Sequence, residues 1–440
     1  MYLLDKVMYH LRLESMTNSH HLEVMIIGGG IGGLCLAQGL RRAGIPVTVY
    51  ERTEARTDWL QGYRIHINPH GSRALHDCLP PAIWQRFLDS VSVSDGGIGF
   101  TTEGLDDLLR FSGAEILREA SPADAHYGAS RISLREVLLS DLDDVVRLGK
   151  TFERYEIGAD QRVTAHFSDG TSAIADILIG ADGANSRVRQ QLLPHAQRID
   201  TGILAIAGKH RLDGTGLPHT LRTDANIVIP ATSGFLFTAV WHPDSKIIVE
   251  DPAPQDFLLN NATAYTFWAY ADAASRFPAD SEILSGDDLQ ATVLHHTTGW
   301  APGLRELIAG SDPATVNALR VRSAAPVDPW PTGRVTLLGD AIHNMTPMAG
   351  IGANTALRDA DLLRRQLISV ANGEVELAPA LHEYEETMRD YGFAAVKRSL
   401  NNARQAGSAN RIARGAFRTS LRIIAAMPPL RRRMATSLGA

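Results

Sequence analysis

Short apolar runs closed by glycine alternate with amphipathic stretches along most of this chain. Residues 24–27 are four consecutive apolar residues of the kind buried in a parallel sheet. A glycine-rich turn follows. Leu36 and Leu40 then share one helical face, Gly44 ends that helix, and residues 47–50 form the next strand. Leu134, Val137, Leu138 and Leu142 repeat at helical spacing, with Arg131 just upstream. Residues 162–167 and 172–174 flank a turn as a hairpin that leads into a buried-type strand at 177–180. Between 201 and 272 the runs 203–207, 225–229, 235–241, 246–249 and 263–270 are separated by Gly, Pro, Asp and Asn, which predicts a largely antiparallel sheet. Residues 299–328 read as a helical stretch and connector, and 334–338 as another buried strand. Ala356, Ala360, Leu363 and Leu367 line one face of a long helix ending near Gly373, and helices run on beyond Pro379.

The turn after the first strand has its own chemistry. Gly28, Gly30 and Gly33 stand at Gly-x-Gly-x-x-Gly spacing between a strand and a helix. The first permits a tight turn, the second lets a pyrophosphate approach the backbone, and the third lets helix and strand pack closely. The helix then aims its N-terminal amides and positive dipole end at the phosphates. Glu51 closes the second strand, where a carboxylate accepts hydrogen bonds from a ribose diol and repels a 2′-phosphate. The pattern says dinucleotide, without choosing between NAD and FAD.

At 440 residues, with 44% hydrophobic and 21% charged positions, the chain is long enough for one large or two smaller cores and is not a disordered chain. Cys35 and Cys78 are its two cysteines, which leaves no disulfide framework or cysteine metal cluster, and no metal site is expected. With no apolar run long enough to span a bilayer and polar residues throughout the first 21 positions, a cytoplasmic protein is expected. Charge is uneven. From residue 391 onward one lysine and nine arginines face no acidic residue, so a +10 tail follows a body of −16 in a total of −6.

Two further motifs give the first a partner. Gly180-Ala-Asp182-Gly183-Ala-Asn-Ser186-Arg-Val-Arg189 follows one predicted strand, and Gly339-Asp340-Ala-Ile-His343, continuing through Pro347, Gly350, Gly352, Asn354 and Asp359, follows another. In the latter, an acidic residue at a strand end and a glycine-rich bend before a helix N-terminus suit a reduced flavin: the carboxylate holds ribityl hydroxyls, and the helix amides face the N1/O2 edge. With the glycine turn these motifs resemble, in order, those of the flavoprotein aromatic hydroxylases, the p-hydroxybenzoate hydroxylase type of FAD-dependent monooxygenase. The resemblance implies an α/β fold with a Rossmann-like FAD/NAD(P)-binding domain, an inserted mostly antiparallel substrate-binding sheet and a C-terminal helical segment. The expected division is 22–198 with 303–375, then 199–302, then 376–440, with 1–21 as an N-terminal extension.

It also implies non-covalent FAD, reduced transiently by NAD(P)H, then O2 reacting to a flavin C4a-hydroperoxide and an oxygen atom passing to a hydrophobic, aromatic or polycyclic small molecule. Cofactor-binding positions are expected at Gly28, Gly30, Ile31, Gly33, Glu51, Arg52, Gly62, Arg131, Asp182, Gly183, Gly339, Asp340, Pro347, Gly350, Gly352, Ala353 and Asn354. Arg52 lies either against the adenine or in solvent. Arg131 either reaches the FAD chain or pairs with Glu136. His343 reads as structural, its ring satisfied by nearby backbone. A reductase or dehydrogenase without oxygen insertion, or a non-enzymatic flavin-binding protein, are the alternatives.

Catalysis by a side chain is not expected, since the flavin carries the chemistry. Phe235, Phe237 and Trp241 alternate on one strand, and Phe267 and Trp268 lie on another, so an aromatic wall above the flavin competes with plain core packing. In the tail, Arg411, Arg414, Arg418 and Arg422 recur at helical spacing while Ile412, Ala416, Ile423 and Ala426 favour another side. Packing on the acidic body and peripheral contact with an anionic membrane are both open. Nucleic acid is not expected, because no aromatic-interleaved basic fold accompanies the charge.

Overall fold

Three of the buried apolar runs become neighbouring strands of one parallel sheet in the computed structural model, which describes residues 22–54, 64–93, 97–116, 121–212, 216–242 and 263–438. The order across this sheet is Val335–Leu337, Ile177–Gly180, Val24–Ile27, Val47–Tyr50, Val146–Arg147, every pair parallel. Such strands are covered on both faces, which is why they read as unbroken apolar runs. Helix α1 (Ile31–Arg42) packs beside α3 (Gly352–Ala371), and α2 (Arg131–Leu139) lies against α1.

The second sheet has seven strands, ordered Asn317–Ala324, Arg198–Arg211, Tyr265–Ala273, Phe235–Trp241, Ala225–Val228, Ile98–Thr101, Asp107–Phe111. The expected insert at 199–302 supplies only the middle of it. Both edges come from outside that span, and Asn317–Ala324 corrects the reading of 299–328 as helix and connector. Its arginines, Arg320 and Arg322, and an exposed Leu319 gave it no buried-strand signature, because an edge strand need not hide both faces. The predicted run at 246–249, the extension at 1–21 and Gly62 lie outside the described residues.

One face of this sheet is closed by the helices Gly286–His296 and Pro302–Ala309 over Leu204, Ile206, Leu236, Trp268 and Tyr270. The other face meets the parallel-sheet half and the end of the chain. There α4 (Leu377–Ala406) packs Ala403 against Ile203 and Ala205, and α5 (Arg411–Ala426) packs Leu421 against Phe100, Leu109 and Phe111.

Candidate functional site

The carboxyl ends of adjacent parallel strands carry the motifs, and this is where open α/β sheets take their ligands. Hydrogen bonds continue the ladder past the strand ends: the Gly28 N–H donates to the Tyr50 carbonyl at 2.8 Å, the Ala181 N–H to Ile27 at 2.8 Å and the Leu338 N–H to Gly180 at 2.9 Å. Residues widely separated in sequence are thereby brought side by side.

The three turn glycines differ in what surrounds them. Gly28 has φ +112°, and a Cβ there would stand 2.3 Å from the Ala181 carbonyl oxygen; a Cβ on Gly33 would stand 2.3 Å from the Gly28 oxygen. Gly30 is different. A Cβ there meets nothing within 4 Å, and as the N-cap of α1 it offers no side-chain bond to the first amides, leaving bare backbone where a phosphate can sit. Ile31 opens the helix behind it. Glu51 is buried and braces the turn, its carboxylate accepting from the Gly29 N–H at 2.6 Å and the Thr53 N–H at 3.0 Å. Each carboxylate oxygen retains a lone pair for a further donor.

Arg52 is exposed, and so is Arg131 at the start of α2. The arginine that reaches the turn is one helical turn further on: Arg135 is buried and its Nε donates to the Gly29 carbonyl at 3.3 Å. Its signal in the sequence was a charge beside Leu134, on the side of the helix that the apolar repeat marks as buried.

In the second motif, Asp182 Oδ2 accepts from the Arg187 N–H at 2.7 Å and the Val188 N–H at 3.3 Å, so this carboxylate caps the helix Arg187–Leu192. Burial pushes its carboxyl up, against the pull of Ser186 and those amides. Its Oδ1 is buried with no partner among the described residues. Gly183 turns with φ +77°. Arg189, which closes the second motif and was given no role from sequence, donates to the Ala341 carbonyl at 2.7 Å and so ties that motif to the third.

The third motif is the most constrained. Gly339 turns at φ +64° and Asp340 stands exposed beyond the strand end. Pro347–Ala349 and Gly350, at φ +65°, bend the chain into α3, which begins at Gly352 and Ala353 with no side-chain cap on its amides. Asn354 does not serve as that cap. Its Oδ1 accepts from the Asn68 N–H at 2.9 Å and its Nδ2 donates to the His66 carbonyl at 2.8 Å, fixing the strand Arg64–Ile67 against the helix start.

His343 was expected to find backbone. It finds a carboxylate instead: Nε2 lies 2.6 Å from Asp359 Oδ2, both side chains fully buried. The same oxygen accepts from the Gly339 N–H at 2.8 Å, and Oδ1 accepts from the Tyr391 hydroxyl at 2.6 Å. Burial pulls the imidazole down, but the Asp359 charge and hydrogen bond, with Asp340 beyond, carry it above its ordinary value. The expectation failed because Asp359 is 16 residues away on another element.

On the seven-stranded sheet, register decides which aromatics face the motifs. Phe237 is opposite Ala269, and Ala239 opposite Phe267, with Ala207 and Lys209 beyond them on Arg198–Arg211. Phe235, Phe237, Trp241, Tyr265 and Phe267 therefore share one face. Trp268 points the other way, into the helix-covered core, where its indole N–H donates to Ser311 Oγ at 2.7 Å. This removes it from the proposed wall, since adjacent residues of a strand cannot both face one cavity. Trp241 keeps the right face but is buried against Tyr265.

The facing side is otherwise paved with alanine, and Met348 of the bend before α3 packs against the cluster to which Ile203, Ala205 and Ala271 belong. Next to that contact Ala207, Phe235, Phe237, Phe267 and Ala269 are all only half-buried. A separate concave cleft lined by Leu212, Arg222, His242 and Ala264 contains none of the motif residues.

Taken together, bare backbone at Gly30, the orphaned oxygen of Asp182, the exposed Asp340 and uncapped amides at α3 are donors and acceptors that fit an extended dinucleotide. Among the described residues no group of three His, Cys, Asp or Glu side chains could hold a metal, and no helix is long and apolar enough to cross a membrane. Cys35 and Cys78 are buried free thiols.

Residues 303–399 match the family model of an FAD binding domain, and 26–90 that of an NAD(P)-binding Rossmann-like domain. The chain is 31% identical to a 3-amino-4-hydroxybenzoate 2-monooxygenase of Streptomyces platensis, over 83% of each sequence. It is also 31% identical to a dual O-methyltransferase/FAD-dependent monooxygenase of Phaeosphaeria nodorum, over 86% of this chain and 45% of that one. The chain spans about half the length of the first curated relatives it matches. Among solved structures, Klebsiella pneumoniae HpxO with FAD and uric acid superposes with a TM-score of 0.77 at 25% identity, over 96% of this chain and 98% of that one.

Proposed function

Since the chain belongs to the FAD-dependent monooxygenases of the p-hydroxybenzoate hydroxylase type, we propose that it uses NAD(P)H and O2 to insert one oxygen atom into a hydrophobic, aromatic or polycyclic small molecule. The observation that carries this reading is the juxtaposition of three glycine motifs with a half-buried, alanine-paved sheet face. When bound, FAD supplies the electron transfer and oxygen activation that no side chain here provides. The chain's own work is placement. Gly30 and the first amides of α1 would take the pyrophosphate, and Glu51 a ribose diol. Asp340 would take the ribityl hydroxyls, and the amides of Gly352 and Ala353 the pyrimidine edge of the ring, where the positive end of α3 favours negative charge. Phe235, Phe237 and Phe267 would orient a flat substrate and keep water off the reacting atoms.

The test is NAD(P)H oxidation and oxygen uptake followed together over a panel of aromatic and fused-ring compounds, with mass spectrometry of the product. Coupled uptake and a product heavier by one oxygen atom are expected. Turnover under anaerobic conditions with a substrate as oxidant would point to a reductase, and no turnover with any compound to a flavin-binding protein. Asp340→Ala is expected to weaken FAD binding about tenfold, the worth of a charge-assisted hydrogen bond, with little change in the unfolding midpoint of the apoprotein because Asp340 is exposed.

A second reading concerns the chain end, where the arginines sort into two sets. Arg414 donates to the Pro230 and Gly234 carbonyls and Arg418 pairs with Glu103, which fastens α5 to the body, and Arg431 on the following helix Pro428–Leu438 pairs with Glu115. Arg411, Arg422, Arg432 and Arg433 are exposed, and Ile412 and Ile423 on the outer side of α5, with Met427 and Leu430 after it, are exposed as well. That face suits an anionic lipid surface, which would bring the enzyme to a lipophilic substrate. Changing Arg411, Arg422, Arg432 and Arg433 together to glutamine is expected to abolish low-salt sedimentation with vesicles containing phosphatidylserine; equal sedimentation of variant and parent would refute it.

A further inference from the structure

Residues 229–234 join the strands Ala225–Val228 and Phe235–Trp241, and among the described residues no backbone–backbone hydrogen bond closes 230–234 on itself. Pro230 has no N–H to offer. The fixed points of this turn are side chains from elsewhere. The Ala231 N–H donates to Glu103 Oε1 at 3.3 Å, and Ser233 Oγ donates to Asp272 Oδ2 at 3.1 Å. Gly234 turns with φ +78°, where a Cβ would stand 2.5 Å from the Tyr270 hydroxyl. The carbonyls of Pro230 and Gly234 are both taken by Arg414, 180 positions beyond Gly234 in the sequence.

Arg414 sits on α5 and is 6% exposed. Its Nε donates to the Pro230 carbonyl at 2.8 Å, one arm of the guanidinium reaches the Gly234 carbonyl, and Nη1 donates to the Ser408 carbonyl at 3.0 Å. A planar fork can meet three carbonyls at once in fixed directions, and a lysine ammonium cannot. Arg418, one helical turn on, pairs at 3.1 Å with the same Glu103 that holds the Ala231 N–H, so two residues of α5 address one turn. The approach of the helix is itself tight. At Gly407, between α4 and α5, a Cβ would stand 3.2 Å from Ile203 Cγ1, in the cluster against which Met348 packs.

The turn delivers Phe235, which is half-buried and lies opposite Ala271, a member of that same cluster. The Gly234 carbonyl belongs to the rigid peptide plane that continues into Phe235, so the guanidinium that fixes this oxygen also fixes where the ring leaves the backbone. Resting on the monooxygenase reading, we infer that Arg414 is a positioning residue for the substrate: from the C-terminal helix it holds the turn before Phe235, and through that ring it sets how tightly a flat aromatic molecule is gripped beside the bend that carries Met348. The C-terminal helix thereby belongs to the substrate side of the enzyme, although no residue of it need touch the substrate.

The test uses the FAD-loaded full chain with phenol, 2-naphthol and 2-hydroxyanthraquinone as probes, binding being read from the flavin absorption spectrum. The parent is expected to bind at least one of them. Arg414→Met is expected to weaken the best-bound probe about tenfold with FAD content unchanged, and Phe235→Ala to weaken it comparably. Because the arginine acts through the ring, the double variant should bind within about twofold of Phe235→Ala alone, an outcome that a merely structural arginine does not produce. Arg431→Met is the control: it removes an arginine of the same tail that pairs with Glu115 instead, and should leave binding within about twofold of the parent. Should Arg414→Met fail to fold, Arg414→Lys, which keeps the charge and loses the fork, carries the same comparison at about threefold. Additive losses in the double variant, equal losses in the Arg414 and Arg431 variants, no loss in the Arg414 variant, or a flavin-loaded parent that binds no probe, each overturns the inference. A parent that takes up no FAD defeats the functional reading itself, whereas a flavin-loaded parent that oxidises NAD(P)H and fails only the double-variant comparison defeats the role of Arg414.

Discussion

A Gly28→Ala protein is expected to purify colourless. The substitution meets two penalties at once. Alanine is placed at φ +112°, a conformation that L residues rarely adopt, and its methyl group would stand 2.3 Å from the Ala181 carbonyl oxygen. That oxygen belongs to backbone held by the Ala181 amide on Ile27, so it cannot yield without parting two central strands. Together these cost about 3 kcal/mol or more, and the damage falls where the pyrophosphate turn begins. Gly30→Ala is the matched control. Its methyl group enters open space, so the unfolding midpoint of the apoprotein should hold while FAD affinity falls, because the added carbon occupies the approach to bare backbone. Flavin absorbance after purification and titration of apoprotein with FAD measure both; full FAD occupancy in Gly28→Ala would refute the assignment of this turn.

Asp359→Ala is expected to cost about 3–5 kcal/mol, the usual result of leaving a buried charge without its partner. Three donors converge on this carboxylate, from His343, the Gly339 amide and the half-buried Tyr391 hydroxyl, and the fully buried His343 ring has no water to turn to. The pH dependence has a definite sign. His343 is raised in the folded protein, so its contribution is fully present below the unfolded value near 6.5 and is lost as pH rises through the raised value. Stability of the parent should therefore decline as pH rises above about 6.5, and Asp359→Asn should flatten that decline while lowering the plateau. Chemical unfolding between pH 6 and 9 reads both effects. A variant with unchanged alkaline slope would show that His343 is not the group responsible. Tyr391→Phe should cost only about 1 kcal/mol, since a neutral donor to Oδ1 is removed while Oδ2 keeps its bonds to His343 and the Gly339 amide.

What the sequence disclosed was mostly local. A run of apolar residues followed by glycine at fixed spacing is written within a few positions, so Gly28, Gly30, Gly33 and Gly339 could be given jobs before any fold was known. Faces and partners were harder. Phe267 and Trp268 are adjacent, and only the register against Phe235–Trp241 shows which of them meets the cofactor side. Arg135 and Arg189 make their bonds to Gly29 and Ala341, more than a hundred positions away in each case, and nothing near them in sequence names those partners. The basic tail divides into fastening and outward arginines by helix phase combined with the position of Glu103 and Glu115, which periodicity alone leaves unplaced.

The interleaving of the two sheets also constrains how the molecule can be made. Strands of the parallel sheet lie at 24–50, 146–180 and 335–337, and those of the larger sheet at 98–111, 198–273 and 317–324, so each sheet encloses part of the other in sequence. No leading fragment completes the larger sheet before Asn317–Ala324, or the parallel sheet before Val335–Leu337, has been synthesised, and Arg414 and Arg418 must still arrive to fasten α5 across the larger sheet. Nascent chains consequently hold unpaired strand edges and apolar faces for most of translation, a state prone to aggregation at high expression rates. Slow synthesis at low temperature favours recovery of folded enzyme, and cutting the chain into a cofactor half and a substrate half yields two pieces that each lack strands held by the other.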